Sequence, residues 1–247
     1  MVGCGRSNSP EPQAKTPETP KVDVNTTLTS KTQPKEELEN PQPPKITHEK
    51  LIADPIVEKA IRKELKKPTG ELTKADLEKV TRLNLYDNRL TELPKNLEKL
   101  HQLKTLWLSE NKLTDVKSLE KLTQLERLNL YGNQLTSVKG LEKLTQLERL
   151  NLDSNKLTDV KGLEKFTELT LLNLDDNQLT DIKGLEKLTQ LKYLRLGDNQ
   201  LTDVKGLEKL TQLKTLNLYD NPDLTKAQIV ELQKALPKCQ ILSNPTK

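Results

Sequence analysis

A 22-residue unit recurs through most of this chain, and its fixed period constrains the fold more than any other feature. The unit reads L-x-x-L-x-L-x-x-N-x-L-T-x-V-x-G-L-x-K-L-T-Q, with landmark asparagines Asn88, Asn111, Asn133, Asn155, Asn177, Asn199 and Asn221. The first interval is 23 residues and every later one is 22. One copy is too small to bury its own apolar face, so copies must stack into a solenoid. The back half hardly changes, as in LTDVKGLEK at 157–165 and again at 201–209. The strand half does change: RLNLYD, TLWLSE, RLNLYG, RLNLDS, LLNLDD, YLRLGD and TLNLYD. Function is therefore sought where the copies differ.

Apolar content of 33% with 2% aromatic would on average composition point to disorder. The leucines are spaced so regularly that this average misleads, because a solenoid buries its core along a line. Residues 1–45 are different material. They hold eight of the fourteen prolines and six charges of each sign, a composition that cannot offset ordering entropy. This segment is expected to be a disordered tether.

Residues 46–79 are expected to form a helical N-terminal cap. Asp54-Pro55 starts a helix, and Leu51, Ile52, Ile56, Val57, Ala60, Ile61 and Leu65 give it an apolar face. Thr73 opens a second short helix through Leu77. Residues 80–224 carry seven repeats, and 225–247 form the C-terminal cap and tail. There Thr225 and Gln228 make a capping box, with Ile229, Leu232, Ala235 and Leu236 facing inwards. Cys239 and Ile241 then alternate like a last strand.

Within each unit the central L-x-L predicts a short strand, and strands of successive coils stack as a parallel sheet. The asparagine is expected to bond backbone groups of its turn and the neighbouring coil. A pair such as Thr158-Asp159 suits the cap of a short 3₁₀ segment, and Gly162 permits the next bend. Too little chain remains for a full outer helix. In the first unit Leu93-Pro94-Lys95-Asn96-Leu97 adds one residue to the bend.

On these residues the stretch 80–224 resembles the bacterial internalin-like leucine-rich repeat family, and its back half resembles the phosphatase-regulatory subclass. The leading IADPIVEKAIRKELKKPTGELTKADLEKVTRLNL is similar to the helical cap that opens many bacterial members. The resemblance implies an α/β leucine-rich repeat solenoid: a curved parallel sheet on the concave face, a 3₁₀ or irregular convex face, and helical caps at both ends. It also implies protein recognition, usually on the concave sheet.

Three outward columns line that sheet, at the third, fifth and seventh positions of the unit. All four tyrosines and the only tryptophan fall in them. Tyr, Trp and Arg are the side chains most enriched at interface hot spots. Trp107, Tyr193 and Arg195 each break the consensus of their column. Tyr86, Tyr131, Tyr219, Arg127, Arg149 and Leu171 share the strip with Asp153 and Asp175, which form a negative edge with Asp87, Glu110, Asp176, Asp198 and Asp220 of the next column. These eleven residues are the candidate partner-binding set. The tyrosines of the seventh column are equally explained by inheritance of one repeat, with neighbouring rings supporting the sheet.

Catalysis has little to use: two histidines, His48 and His101, and two cysteines, Cys4 and Cys239, with no phosphate loop or zinc spacing. No cofactor or metal is expected. The formal charge of +4 is spread over alternating Lys and Glu columns, which offer no broad patch to nucleic acid. The expected function is a non-catalytic module that binds a protein, with a glycan or peptide second. An envelope or scaffold protein using caps or edges is the alternative. Val2-Gly3-Cys4-Gly5 resembles the end of a bacterial lipoprotein signal, so Cys4 is a lipidation candidate and the only expected link to a membrane. A longer precursor would make the protein anchored or exported; otherwise the same cysteine sits in a cytoplasmic protein.

Overall fold

The computed structural model describes residues 50–245. The expected tether at 1–45 and the lipidation candidate Cys4 lie outside the described residues. Eight three-residue strands form one open parallel sheet in sequence order: β1 (Arg82–Asn84), β2 (Thr105–Trp107), β3 (Arg127–Asn129), β4 (Arg149–Asn151), β5 (Leu171–Asn173), β6 (Tyr193–Arg195), β7 (Thr215–Asn217) and β8 (Gln240–Leu242). Register is unbroken: Arg82, Thr105, Arg127, Arg149, Leu171, Tyr193, Thr215 and Gln240 pair in one row. The leucines either side of this row are fully buried, so a one-residue slip would turn the core leucines of a strand out to water. Phe166 takes a leucine's place and is fully buried.

The asparagine ladder is built as the unit requires. Asn155 turns inwards, and its Nδ2 donates to the carbonyls of Leu130 (3.0 Å), Leu152 (3.0 Å) and Asp153 (3.1 Å). Its Oδ1 accepts from the N–H of Leu135 at 3.0 Å, one coil earlier. From Asn111 onwards each ladder amide thus ties two coils through buried backbone groups.

The outer bends differ from expectation in two ways. The Thr/Asp pair does not cap the 3₁₀ segment. Asp159 Oδ1 instead accepts from Lys161 N at 3.0 Å, a local Asx turn, and the segment Leu163–Lys165 begins after Gly162, whose φ is +96°. The Glu column is also more than a solvated charge row. Glu142, Glu164, Glu186 and Glu208 each fold back so that Oε2 accepts from the N–H of Gly140, Gly162, Gly184 and Gly206, at 2.6–2.7 Å. Hydrogen bonding from their own backbone N–H groups and these glycines holds the Glu142 and Glu186 carboxyls below the usual range.

Helix α1 (Pro55–Glu64) starts where Asp54 accepts from the N–H groups of Ile56 and Val57, and buries Val57 and Ile61. It packs against β1. Lys99 Nζ donates to the Leu51 carbonyl at 2.8 Å, binding the first bend to the segment before α1. Helix α2 (Lys74–Leu77) is capped reciprocally by Thr73 and Asp76. Helix α3 (Lys226–Ala235) begins at the Thr225/Gln228 capping box, and Gln228 Nε2 also donates to Thr202 O at 3.0 Å. Ala235, expected to face inwards, is exposed; Leu232 and Leu236 are buried and Ile229 is partly so. Leu236, the first residue past the helix, takes the inward place instead, and Ala235 as the last helical residue is turned to solvent. Among the described residues no helix is long and apolar enough to cross a membrane.

Candidate functional site

The three outward columns occupy the sheet face opposite the leucines, but they are not uniformly open. Arg82, Arg127, Arg149, Tyr193, Arg195, Tyr86 and Tyr219 are exposed, and Trp107, Leu171, Tyr131, Asp153 and Asp175 are half-buried. Thr105, Asn173, Ser109 and Gly197 are buried within the strip. Sheet register brings four of the candidates together. Trp107, Arg127, Arg149 and Leu171, from strands β2 to β5, line one groove of about 280 Å³ floored by Leu106, Leu128 and Leu150. Tyr193 lies one strand further, in register with Leu171. Tyr86, Tyr131, Tyr219, Arg195, Asp153 and Asp175 are not part of this groove.

The asparagines of the fifth column have a structural job that the period alone did not reveal. The Oδ1 atoms of Asn84, Asn129, Asn151, Asn173 and Asn217 accept from the N–H two residues on, at Tyr86, Tyr131, Asp153, Asp175 and Tyr219, at 2.9–3.1 Å. Each caps the end of its strand as an Asx turn. That preference was available in the sequence as the column's own consensus.

Trp107 and Arg195 break this column and cannot make the cap. At Arg195 the loss is offset: Asp175 reaches across from the neighbouring strand and accepts from Gly197 N at 2.6 Å. Asp175 also accepts from Asn217 Nδ2 at 3.1 Å and faces Arg195 at 3.7 Å. Gly197 leaves room for this arrangement, since a Cβ there would lie 2.6 Å from Asn217 Nδ2. At Trp107 nothing takes over. The N–H of Ser109 has no acceptor among the described residues.

The acidic edge resolves into two roles. Asp87, Glu110, Asp176, Asp198 and Asp220 all have positive φ, and Gly132 and Ser154 hold the same place in their units. The turn after each strand demands a left-handed residue there, which favours Asp, Asn and Gly. Asp153 is engaged inside the strip, accepting from Ser154 Oγ at 2.7 Å and Asn173 Nδ2 at 3.1 Å. Burial, then the charges of Asp220, Asp176 and Asp153, push the Asp198 carboxyl up. The Glu110 charge is the main cause that raises the Tyr131 hydroxyl. Among the described residues no three His, Cys, Asp or Glu side chains converge as a metal site.

Burial pushes the Asp175 carboxyl up, against the Gly197 N–H, the Arg195 charge and the Asn217 amide, which favour ionisation. A carboxyl whose folded value lies above its unfolded value stabilises the fold most below the unfolded value of about 3.9, and loses that contribution as pH rises through the folded one. Relative to Asp175→Asn, the native chain should therefore lose stability as pH rises above the unfolded value of about 3.9. Parallel urea-unfolding profiles for the two proteins would show that this carboxyl ionises freely.

Family models for leucine-rich repeats match residues 123–165, 167–207 and 189–232 in paired copies, and residues 78–135 in a further model. Internalin C2 of Listeria monocytogenes is 30% identical over 80% of this chain and 88% of its own, with a TM-score of 0.72. A leucine-rich repeat protein of Leptospira interrogans is 34% identical over 67% of this chain, which spans 43% of that protein, with a TM-score of 0.63. An internalin F of Listeria monocytogenes shares the fold at 23% identity, covering 80% of this chain and 72% of its own, with a TM-score of 0.55. No curated protein matches.

Proposed function

Because the chain belongs to the internalin-like leucine-rich repeat family, whose members generally mediate protein–protein interaction, we propose that it binds a protein on its strand face without catalysing a reaction. The contact is centred on the groove of Trp107, Arg127, Arg149 and Leu171, with Tyr193 beside it. Helices α1, α2 and α3 serve as end caps in this reading, and of the surfaces between them the strip is where the repeat copies differ.

One observation carries the choice of centre. Trp107 stands where the fold prefers asparagine, and with it in place the Ser109 N–H has no acceptor among the described residues. An unmet backbone donor costs on the order of 1–3 kcal/mol. Residues that work against the local fold in this way concentrate at functional sites. Arg195 carries less weight, since Asp175 both replaces the missing cap and faces its guanidinium.

Trp107→Asn separates stability from recognition. The asparagine restores the cap, so the thermal midpoint should match or exceed that of the native chain. Binding should fall at least tenfold, about 1.4 kcal/mol or more, as expected for a hot-spot residue. The comparison is a quantitative capture from extracts of the source cell with the full chain and the variant side by side. A partner held equally by both would move the contact off this groove, to the caps or the outer bends.

A further inference from the structure

Resting on the strand-face reading, the charge left unmet in the groove identifies the chemistry of the partner. Arg127 and Arg149 are register partners on adjacent strands. Their side chains leave the same side of the sheet about 5 Å apart at the backbone. Like charges placed directly opposite are destabilising. Among the described residues neither guanidinium has an ion pair or a hydrogen bond. Three neighbouring carboxylates are engaged elsewhere: Glu126 with Lys104 at 2.7 Å, Asp153 with Ser154 and Asn173, and Asp175 with Gly197 and Asn217. Two adjacent guanidinium forks without an anion match a carboxylate, which each can grip through paired N–H donors.

Apolar groups bracket the two arginines. Trp107 lies one strand before Arg127, and Leu171 is the register partner of Arg149 on the strand after. Crossing the strands, the order is apolar, cationic, cationic, apolar; three strand intervals, with Trp107 offset by two residues from Thr105, the register partner of Arg127, span about 16 Å. An extended peptide places alternate side chains on one face at about 6.8 Å spacing, so three of them span roughly 14 Å, a difference that the lengths of the Trp107 and Leu171 side chains bridge. We propose that the groove takes an extended acidic segment of a protein partner, apolar-x-acidic-x-apolar. Its Asp or Glu carboxylate sits between Arg127 and Arg149, and its flanking side chains rest on Trp107 and Leu171.

The test uses the full chain and two fluorescently tagged peptides, each with Gly-Ser ends. One contains Leu-Thr-Glu-Thr-Phe and the other contains Gln in place of Glu. The Glu peptide should bind at least tenfold more tightly than the Gln peptide, a preference that weakens as salt rises. Arg127→Ala/Arg149→Ala should abolish the preference, and Arg127→Lys/Arg149→Lys should keep part of it, because charge remains while the fork is lost. Both arginines are exposed, so circular dichroism should be unchanged in either variant. Equal affinity for the two peptides, no binding of the Glu peptide, or stronger binding of a sulfated glycan fragment than of the Glu peptide would overturn the proposal. If the two peptides bind equally but both are lost in Trp107→Asn, the acidic partner falls and the strand-face reading stands. If Trp107→Asn leaves that equal binding untouched, both fall.

Discussion

Asn155→Asp is expected to destabilise the chain at neutral pH by more than about 4 kcal/mol, and by more than Asn155→Leu, although it is the smaller change in shape. The amide Nδ2 of Asn155 points at three carbonyls, those of Leu130, Leu152 and Asp153. A carboxylate would face them with no proton to donate, in a site where Asn155 is only 8% exposed. Leucine removes the donor without introducing charge. The carbonyls of Leu130 and Leu152 still receive the amides of Asn133 and Asn177, and Asp153 O still receives Gly132 N. What leucine orphans is the N–H of Leu135, worth about 1–3 kcal/mol. The introduced carboxyl would hold its proton above the unfolded value, so the Asp variant should regain stability as pH falls. Urea unfolding of both variants at two pH values measures the difference. An Asp variant no worse than the Leu variant would mean that the polarity of the ladder does not hold the coils together.

Gly140→Ala and Gly162→Ala occupy the same place in their units yet should differ by about 2 kcal/mol or more. Both glycines have positive φ, +103° and +96°. A side chain in left-handed backbone costs each variant about 1–2 kcal/mol. At Gly162 the added Cβ would sit 3.6 Å from Val138 Cγ2, an ordinary contact. At Gly140 it would lie 2.5 Å from Lys117 Cα and 3.0 Å from Lys117 N, backbone atoms that cannot move aside alone. The cause lies one coil earlier. Ser118 stands where later units have glycine, and the 3₁₀ segment there runs from Lys117 to Lys121, beginning earlier than in those units. Thermal unfolding of the pair tests this, and equal midpoints would show that the coil of Lys117 can shift.

The sequence was most informative where one residue type serves one geometric need. Leucine spacing placed the strands, and Asp54-Pro55 placed the start of α1. The asparagines bond adjacent coils as their burial requires. What stayed hidden is which polar atom satisfies which neighbour. Asp175 read as part of a free acidic edge, yet it accepts from Gly197 because Arg195 cannot. Glu164 read as a surface charge, yet it holds the N–H of Gly162. The outward strip was legible as a face. Its division into a groove at Trp107, Arg127, Arg149 and Leu171 and an internally bonded patch around Asp175 depends on contacts between coils, which no single repeat displays.

The ladder also works as a ruler. From the third unit onwards each ladder amide accepts from the leucine N–H 20 residues before it and donates to a leucine carbonyl 25 before it. Between the first two units both intervals are one longer, 21 and 26, absorbing the residue added between Leu93 and Leu97. Excising one whole interior unit of 22 residues brings the next asparagine to the same two partners, whereas a cut of 21 leaves one extra residue that an outer bend must absorb, as the bend between Leu93 and Leu97 does. Whole turns can therefore be added or removed without disturbing the pitch, and any other change in length has to be taken up in an outer bend, beyond the reach of the amides.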